Sequence, residues 1–165
     1  MKILKTDKRL IDEGYRYKIE GDLISDTFID LTDLDKLLYI SGYIKAGGYI
    51  KTGWSIEASG SIEAGGHIKA GGTIEAGEYI EAGEYYGISA GLSITAKTTI
   101  SCGLKIFAGI CTWRDINNDD KTITCTELLG DGVVEYGILN IVKEEYKPRT
   151  IIVDGVTYVE QINKG

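Results

Sequence analysis

The middle of the chain repeats a six-residue pattern of one isoleucine and, two positions later, one small residue. The isoleucines are Ile44, Ile50, Ile56, Ile62, Ile68, Ile74 and Ile80, and the small residues are Ala46, Thr52, Ala58, Ala64, Ala70, Ala76 and Ala82. Residues i and i+2 of a strand share a face, so each unit predicts a short strand with these two side chains inside and the intervening Lys or Glu outside. A helix is disfavoured, because helical burial needs apolar residues three and four positions apart and tolerates glycine poorly.

Glycine follows the small residue in most repeats and marks the predicted corners between strands. These glycines are Gly47, Gly53, Gly65, Gly71, Gly77 and Gly83. We expect them to turn the chain with positive φ, which glycine adopts at little steric cost. The period is broken once, because Ile80 is followed by Ile88 and the segment 84–87 (EYYG) adds two residues at a corner. The period then resumes with Ile94, Ile100 and Ile106. Cys102 takes one of the later small inward positions, which predicts a packing role.

Short strands joined by sharp turns at a fixed period are typical of a β-solenoid, in which successive coils stack and pair their strands in parallel. We therefore expect an all-β fold, a parallel β-helix of about four coils with N- and C-terminal capping segments. Two coil lengths fit the repeat. Eighteen residues per coil would give three sides and stack Lys45 on Glu63, whereas twelve would give two sides and stack Lys45 on Glu57. We favour three sides, because two facing rows of isoleucine would be crowded in a flattened coil.

The repeat divides the chain, which we interpret as a single domain, into three segments. Residues 1–37 would cap the N-terminal end, residues 38–111 would form the solenoid, and residues 112–165 would add C-terminal strands and a hairpin. The ends need covering, because an open coil exposes strand edges and apolar side chains. Residues 32–38 (TDLDKLL) predict a helical turn. Asp154-Gly155, between alternating apolar residues, predicts a hairpin turn.

Length, charge and cysteine content narrow the class of protein. The 165 residues suffice for one modest core. We expect a soluble, cytoplasmic protein, because the sequence shows neither a signal peptide nor an apolar run long enough to span a membrane. The three cysteines form no CxxC pair, which argues against a disulfide framework or a zinc site. The formal net charge of −7 disfavours direct nucleic-acid binding, which depends largely on Lys and Arg at phosphates.

Residues able to support catalysis are sparse. His67 is the only histidine, and it takes a repeat position otherwise filled by Ser, Thr and Tyr, so we expect it to face solvent. The sequence contains no GxSxG, HExxH or GxxxxGK[ST] motif. Residues 115–120 (DINNDD) space their acidic side chains like a calcium loop but lack its glycine and its final glutamate, which favours a solvated loop. We expect no enzymatic activity, no metal ion and no cofactor.

The outward positions of the repeat carry many aromatic and acidic side chains. Tyr and Trp are favoured in protein interfaces, because they provide a large contact area with few rotatable bonds. The carboxylates form an acidic run, with no basic residue between Lys69 and Lys97, that suits a basic partner. The residues predicted to bind a partner are Tyr49, Trp54, Glu78, Tyr79, Glu81, Glu84 and Tyr85. The alternative is that the flanking segments fold over some of these aromatic residues.

Residues 38–111 resemble the hexapeptide-repeat parallel β-helices, and in their low complexity they also resemble bactofilin-type polymer-forming proteins. The hexapeptide acyltransferases place their small residue two positions before the aliphatic one rather than after it, so their activity is not carried over. The IxAG units followed by LKIFAGICTW (residues 104–113) and ITC (residues 123–125) are similar to small repeat proteins of phages and mobile elements. Some proteins of that group are anti-CRISPR inhibitors of host defence nucleases.

This resemblance and the acidic, aromatic surface lead to three functional hypotheses. The first is a non-enzymatic inhibitor that binds a protein partner, such as a basic host nuclease or CRISPR effector, and blocks its nucleic-acid site. The second, implied by the bactofilin resemblance, is a self-assembling structural solenoid, and a homo-oligomer is compatible with both. The third is an acyltransferase-like enzyme that uses His67.

Overall fold

The structure is a computed structural model that describes residues 1–143, 150–153 and 156–159. The strands before the regular repeat are β1 (Ile11–Asp12), β2 (Arg16–Ile19), β3 (Leu23–Ser25), β4 (Ile29–Leu31) and β5 (Leu37–Ile40). The strands of the repeat are β6 (Ile44–Ala46), β7 (Ile50–Thr52), β8 (Ile56–Ala58), β9 (Ile62–Ala64), β10 (Ile68–Ala70), β11 (Ile74–Ala76), β12 (Ile80–Ala82), β13 (Ile88–Ala90) and β14 (Ile94–Ala96). The later strands are β15 (Thr99–Ser101), β16 (Lys105–Ala108), β17 (Thr122–Cys125), β18 (Glu127–Leu129), β19 (Val133–Tyr136), β20 (Ile138–Ile141), β21 (Thr150–Val153) and β22 (Val156–Val159). Within the described ranges, the one helical element is a 3₁₀ turn at Asp119–Lys121.

The strands β1 to β20 form three sheets that make the three sides of a β-solenoid. Sheet I contains β1, β2, β5, β8, β11, β14, β17 and β20, sheet II contains β3, β6, β9, β12, β15 and β18, and sheet III contains β4, β7, β10, β13, β16 and β19. Only β1 pairs in the antiparallel sense within these sheets, against β2. The predicted all-β parallel solenoid with three sides is therefore confirmed.

Each regular coil contains 18 residues. Ile44 lies opposite Ile62, and Ile62 lies opposite Ile80, in neighbouring strands of sheet II. Lys45 accordingly stacks on Glu63, and the alternative coil of twelve residues is wrong. The insertion at residues 84–87 lengthens one coil, because Ile68 lies opposite Ile88.

The solenoid has six coils rather than the four expected, since sheets II and III each contain six strands. The additional coils lie in the segments before and after the regular repeat. Leu23, Ile29 and Leu38 take the inward positions opposite Ile44, Ile50 and Ile56. Leu23 and Ile29 are six residues apart, but nine positions separate Ile29 from Leu38, and this break hides the earlier coil from the repeat, although its side chains fill the same interior ladder.

Two local predictions have different outcomes. The helical turn predicted at residues 32–38 is wrong: a tight turn, in which the Leu34 amide donates to the Leu31 carbonyl over 3.1 Å, leads directly into β5. Burial of Leu34 in the core and the pairing of β5 keep this segment from continuing as a helix. The predicted C-terminal hairpin is present as the antiparallel pair β21 and β22. Its turn, Asp154-Gly155, lies outside the described residues.

The core consists of stacked isoleucines and small residues, as the repeat predicts. Every isoleucine of the regular repeat is at most 1% exposed, and the alanines that follow are at most 5% exposed. Cys102 is buried at a small inward position, which confirms its packing role. Burying one isoleucine contributes about 1.5–3 kcal/mol relative to leaving it exposed, so the ladder is the main source of stability.

The corner glycines are required for close approach between coils rather than for positive φ. Positive φ occurs within the described residues at Gly14, Gly21, Gly109, Gly130 and Gly137, so the expectation for the corners of the repeat is wrong. At Gly65, a Cβ atom would lie 2.2 Å from the carbonyl oxygen of Gly47 in the preceding coil. A side chain there would separate the coils, because they stack through backbone hydrogen bonds.

Candidate protein-binding surfaces

Five of the seven predicted binding residues lie together on one coil. Glu81 points outward from β12 in sheet II. Glu78 and Tyr79 lie at the corner that joins sheet I to sheet II, and Glu84 and Tyr85 lie at the corner that joins sheet II to sheet III. We call this surface, which runs from Glu78 across Glu81 to Tyr85, the sheet II face.

The remaining two predicted residues lie on different edges of the solenoid. Tyr49 is at the corner between sheets II and III, on the same edge as Tyr85 but in an earlier coil. Trp54 is at the corner between sheets III and I. A flat partner that lies on sheet II does not reach Trp54, because Trp54 is at the corner opposite that sheet.

Glu63, which lies beside Glu81 on sheet II, is neutralised by its neighbours. The Lys45 Nζ donates to Glu63 Oε2 over 2.7 Å, and the Tyr79 hydroxyl donates to Glu63 Oε1 over 2.5 Å. Burial alone would raise the pKa of Glu63, but hydrogen bonds from Lys45 and Tyr79 outweigh it and lower that pKa. Tyr79 is therefore half-buried with its hydroxyl occupied, and it fixes the corner beside Glu78.

The other carboxylates of the sheet II face are left to solvent. Glu78, Glu81 and Glu84 are exposed. Within residues 1–143 none of the three forms an ion pair. On the strands of sheet II the one lysine, Lys45, is already paired with Glu63. Lys97 lies at the corner of Glu78 in the next coil, where the Thr98 amide donates to the Glu78 carbonyl, but it forms no ion pair with Glu78. The face therefore carries three carboxylates without an ion-pair partner among the described residues.

An open groove of about 530 Å³ follows the corner between sheets I and II, next to these carboxylates. The residues that line it include Asp22, Tyr43, Lys45, Glu63, Glu78 and Tyr79. It combines two tyrosine rings with several carboxylates. Such a groove can receive a basic side chain, which would contact both kinds of group.

The edge between sheets II and III carries a stack of aromatic rings from successive coils. The centroids of Phe28 and Tyr49 lie 5.1 Å apart, and those of Tyr49 and His67 lie 5.3 Å apart. Tyr86 continues the row, 6.5 Å from His67 and tilted by 44°. His67 is exposed, as expected, but the part of its ring covered by the stack is desolvated, and this desolvation followed by repulsion from Lys69 and Lys51 lowers its pKa. The stack thus favours the neutral imidazole over the protonated one.

Tyr85 projects from the same edge because of the two-residue insertion. The Tyr86 amide donates to the Gly83 carbonyl over 2.9 Å and closes a turn that contains Glu84 and Tyr85. Tyr85 is 74% exposed, which is unusual for so large a ring. The insertion therefore presents one aromatic side chain beside the carboxylates of the sheet II face.

Trp54 lines a groove on the edge between sheets III and I, opposite a residue that the sequence did not single out. The groove has a volume of about 440 Å³, with Gly53, Gly71 and Gly72 in its lining and Trp113 as the second indole. Backbone hydrogen bonds link Trp54, Gly72 and Leu92 of successive coils at this corner. The sequence signal for Trp113 is the break in the six-residue period between Ile106 and Ile123, which marks an insertion at residues 109–121.

The insertion that carries Trp113 is held by polar contacts. The Arg114 guanidinium donates to both carboxylate oxygens of Asp120, over 2.6 and 3.1 Å, and its carbon lies 5.7 Å from the Trp113 ring centroid. Hydrogen bonding from Arg114 lowers the pKa of Asp120. One carboxylate of the predicted DINNDD loop is thus engaged in an ion pair. The described residues contain no group of three or more His, Cys, Asp or Glu side chains arranged to hold a metal ion.

In the part of the chain that the structure describes, no helix is long and apolar enough to cross a membrane. No protein-family model matches the sequence, and no curated protein or solved structure matches the chain.

Proposed function

We propose that this chain is a non-catalytic protein-binding module that recognises a basic surface through the sheet II face. The observation that carries the proposal is a group of three exposed carboxylates, Glu78, Glu81 and Glu84, which form no ion pair within residues 1–143. The exposed ring of Tyr85 follows Glu84 on the same coil. Charge of one sign steers an oppositely charged partner during encounter, and a buried aromatic anchor prolongs the complex.

The stacked coils support this role by holding the surface rigid. Glu81 lies on a strand paired on both sides, with β9 and β15. Tyr79 is tied to Glu63, and Tyr49 is packed in the aromatic stack. Side chains fixed before binding lose less entropy on association, so a rigid face favours affinity.

The partner class that fits best is a protein with a basic nucleic-acid groove. Carboxylates in a row can occupy the sites where Lys and Arg otherwise hold phosphates. Occupation of that groove would make the chain a competitive inhibitor of, for example, a host defence nuclease. The similarity to small repeat proteins of phages and mobile elements, some of which are anti-CRISPR proteins, implies the same inhibitory function. Such an inhibitor does not need to contact nucleic acid directly.

The experiment compares capture by the immobilised chain and by the triple variant Glu78→Lys, Glu81→Lys and Glu84→Lys from a bacterial lysate at several salt concentrations. The captured proteins should be rich in nucleic-acid-binding proteins. They should elute as the NaCl concentration rises, because salt screens the attraction between opposite charges. The triple variant should not capture them. The matched control reverses Glu75, Asp115 and Asp119, which lie away from this face and give the same change of net charge. Identical capture by the two triple variants would refute the proposal.

A second candidate function is a self-assembling structural solenoid, as the bactofilin resemblance implies. A filament needs both ends of the solenoid to be open. At the N-terminal end, the Ile3 amide donates to the Asp30 carbonyl over 2.9 Å, and β1 pairs with β2. Ile3 itself is fully buried. Residues 1–12 therefore cover this end and disfavour a filament.

A further inference from the structure

The edge between sheets III and I lacks a side chain in one of three successive coils. Trp54, Gly72 and Leu92 take the same corner position in consecutive coils, because the Gly72 amide donates to the Trp54 carbonyl over 3.3 Å and the Leu92 amide donates to the Gly72 carbonyl over 3.1 Å. All three residues line the groove at this edge. Since glycine has no side chain, a gap one coil wide separates the indole of Trp54 from the side chain of Leu92.

The edge between sheets II and III shows what fits a gap of this width. There, Phe28, Tyr49 and His67 come from three consecutive coils, and their ring centroids lie 5.1 and 5.3 Å apart. Coils about 4.8 Å apart therefore hold flat rings close to stacking distance. Trp54 and Leu92 are two coils apart, or about 10 Å. One flat ring between them would lie at the spacing that the other edge already uses.

The groove around this gap has the size of a small-molecule site and is accessible within the described part of the chain. Its volume of about 440 Å³ lies in the range of ligand pockets. Trp54 is 49% exposed, and Trp113, the second indole of the lining, is 62% exposed. Residues 1–143 end on a different edge, since Lys143 lies beside Thr126 at the corner between sheets I and II. Both indoles therefore have ring area left for a ligand.

The lining of the groove carries no charge. It consists of glycine, serine, leucine and tryptophan residues. Arg114 lies 5.7 Å from the Trp113 ring centroid, but its guanidinium is engaged by the Asp120 carboxylate over 2.6 Å. A charged ligand would lose water in this groove without gaining a partner, and the net charge of −7 further disfavours an anion. The part of a ligand that enters the groove is therefore uncharged.

Ser55 provides the polar side chain of the lining. Its hydroxyl oxygen accepts a hydrogen bond from the Thr73 amide over 2.9 Å. The same oxygen lies beside the gap, since a Cβ atom at Gly72 would be 2.3 Å from it. Within residues 1–143 this hydroxyl donates no hydrogen bond of its own. Its hydrogen can therefore be donated to an acceptor atom at the edge of a ring.

We propose that the groove binds an uncharged, planar heteroaromatic ring, which takes the place of the side chain that Gly72 lacks. We call this site, formed by Trp54, Ser55, Gly72, Leu92 and Trp113, the indole slot. The ring stacks on Trp54, packs against Leu92 and Trp113, and accepts a hydrogen bond from Ser55. A bicyclic ring matches the area of an indole. The site is on the edge opposite sheet II, so the proposal does not depend on the function assigned to the sheet II face.

NMR titration of the isotope-labelled full chain tests the site directly, because Trp54 and Trp113 are the two tryptophans of the sequence and each gives one indole N–H signal. Quinoline, a neutral bicycle with a ring-nitrogen acceptor, should shift both signals along saturation curves that share one dissociation constant. For a compound of about ten non-hydrogen atoms this constant should be about 1 mM or lower. Naphthoate and N-methylquinolinium have a similar shape but carry a charge, and they should bind at least tenfold more weakly.

Single replacements show whether the two indoles belong to one site. In Trp113→Leu the Trp54 signal should require at least tenfold more quinoline for the same shift, and in Trp54→Leu the Trp113 signal should do so. The control, Tyr15→Leu, replaces a ring that is 73% exposed elsewhere on the solenoid, and it should bind quinoline normally. Indole signals that do not saturate, or a Trp54 response that is unchanged in Trp113→Leu, would overturn the proposal. Equal or tighter binding of a charged compound would overturn it as well.

Discussion

The imidazole of His67 lies parallel to the phenol ring of Tyr49 in the preceding coil, with 5.3 Å between the ring centroids and 7° between the ring planes. His67 is also next to two lysines, Lys69 in the strand that follows it and Lys51 in the coil before. Protonation would add a third positive charge to this group. The stability of the aromatic stack at the edge between sheets II and III should therefore depend on pH.

The first prediction concerns this pH dependence. The pKa of His67 is lowered in the folded chain, by burial first and by the lysines second. The unfolded chain then binds the proton more readily, so stability is complete above the ordinary histidine pKa near 6.5 and is lost as the pH falls below it. Guanidinium unfolding at pH 8 and pH 5 should show the loss, and His67→Phe should reduce it.

Carboxylate titration also lowers stability in acid, and His67→Phe leaves that contribution unchanged. Equal pH profiles for the variant and the parent between pH 8 and pH 5 would contradict the role assigned to His67. His67→Ala should also leave partner capture intact, since the residue has no place in the proposed binding surface.

The second prediction concerns the approach of neighbouring coils. Gly65→Ala should destabilise the chain by about 1–3 kcal/mol, because its Cβ would overlap the Gly47 carbonyl oxygen and would lie only 2.2 Å from it. The expected fall in Tm is roughly 2–10 °C. Gly53→Ala is the matched control, since its Cβ would lie 3.9 Å from its nearest neighbour and φ there is not positive. Equal melting temperatures for the two variants would show that the coils can separate without cost.

The third prediction concerns two stacked carboxylates on sheet I. Burial and, next, the opposing Glu75 carboxylate raise the pKa of Glu57, with partial compensation from Arg16. A carboxyl whose pKa is raised favours folding when it is protonated, and this contribution is lost as the pH rises through the folded-state pKa. Glu57→Gln should therefore stabilise the chain at pH 7, by up to about 1 kcal/mol.

Chemical denaturation at pH 7 and pH 3.5 distinguishes this electrostatic origin from a general effect of the substitution. The gain should be largest at neutral pH and should disappear in acid, where the Glu57 carboxyl is protonated and no longer repels its neighbour. A gain of the same size at both values would mean that packing of the amide, rather than relief of repulsion, is responsible.

The fourth prediction separates two tyrosines of the sheet II face. Tyr85 is 74% exposed, so Tyr85→Ala should leave Tm unchanged and should speed dissociation of a captured partner at least tenfold, as expected for an anchor worth about 1.4 kcal/mol. Tyr79→Phe removes the hydroxyl that donates to Glu63 and should cost about 1 kcal/mol of stability. Surface plasmon resonance and thermal unfolding measure the two effects. An unchanged off-rate for Tyr85→Ala would remove that residue from the interface.

The isoleucine and alanine positions by themselves determined the strands, the inward and outward faces, the solenoid class and the insertion at residues 84–87. A period of six residues is a local property, and strand alternation converts it directly into faces. The predicted coil of 18 residues followed from the same spacing, because two facing rows of isoleucine would be crowded in a coil of twelve residues. None of these inferences required knowing which distant residues touch.

Contacts between coils were decided only in the tertiary structure. Leu23 and Ile29 belong to a coil because strand pairing places them opposite Ile44 and Ile50, although the nine positions from Ile29 to Leu38 break the six-residue period. Pairing of Lys45 and Tyr79 with Glu63 removes one carboxylate from the binding face. Trp113 joins Trp54 because an insertion returns the chain to the same corner. In each case the partner lies one or more coils away, and a local pattern does not encode which side chain meets it there.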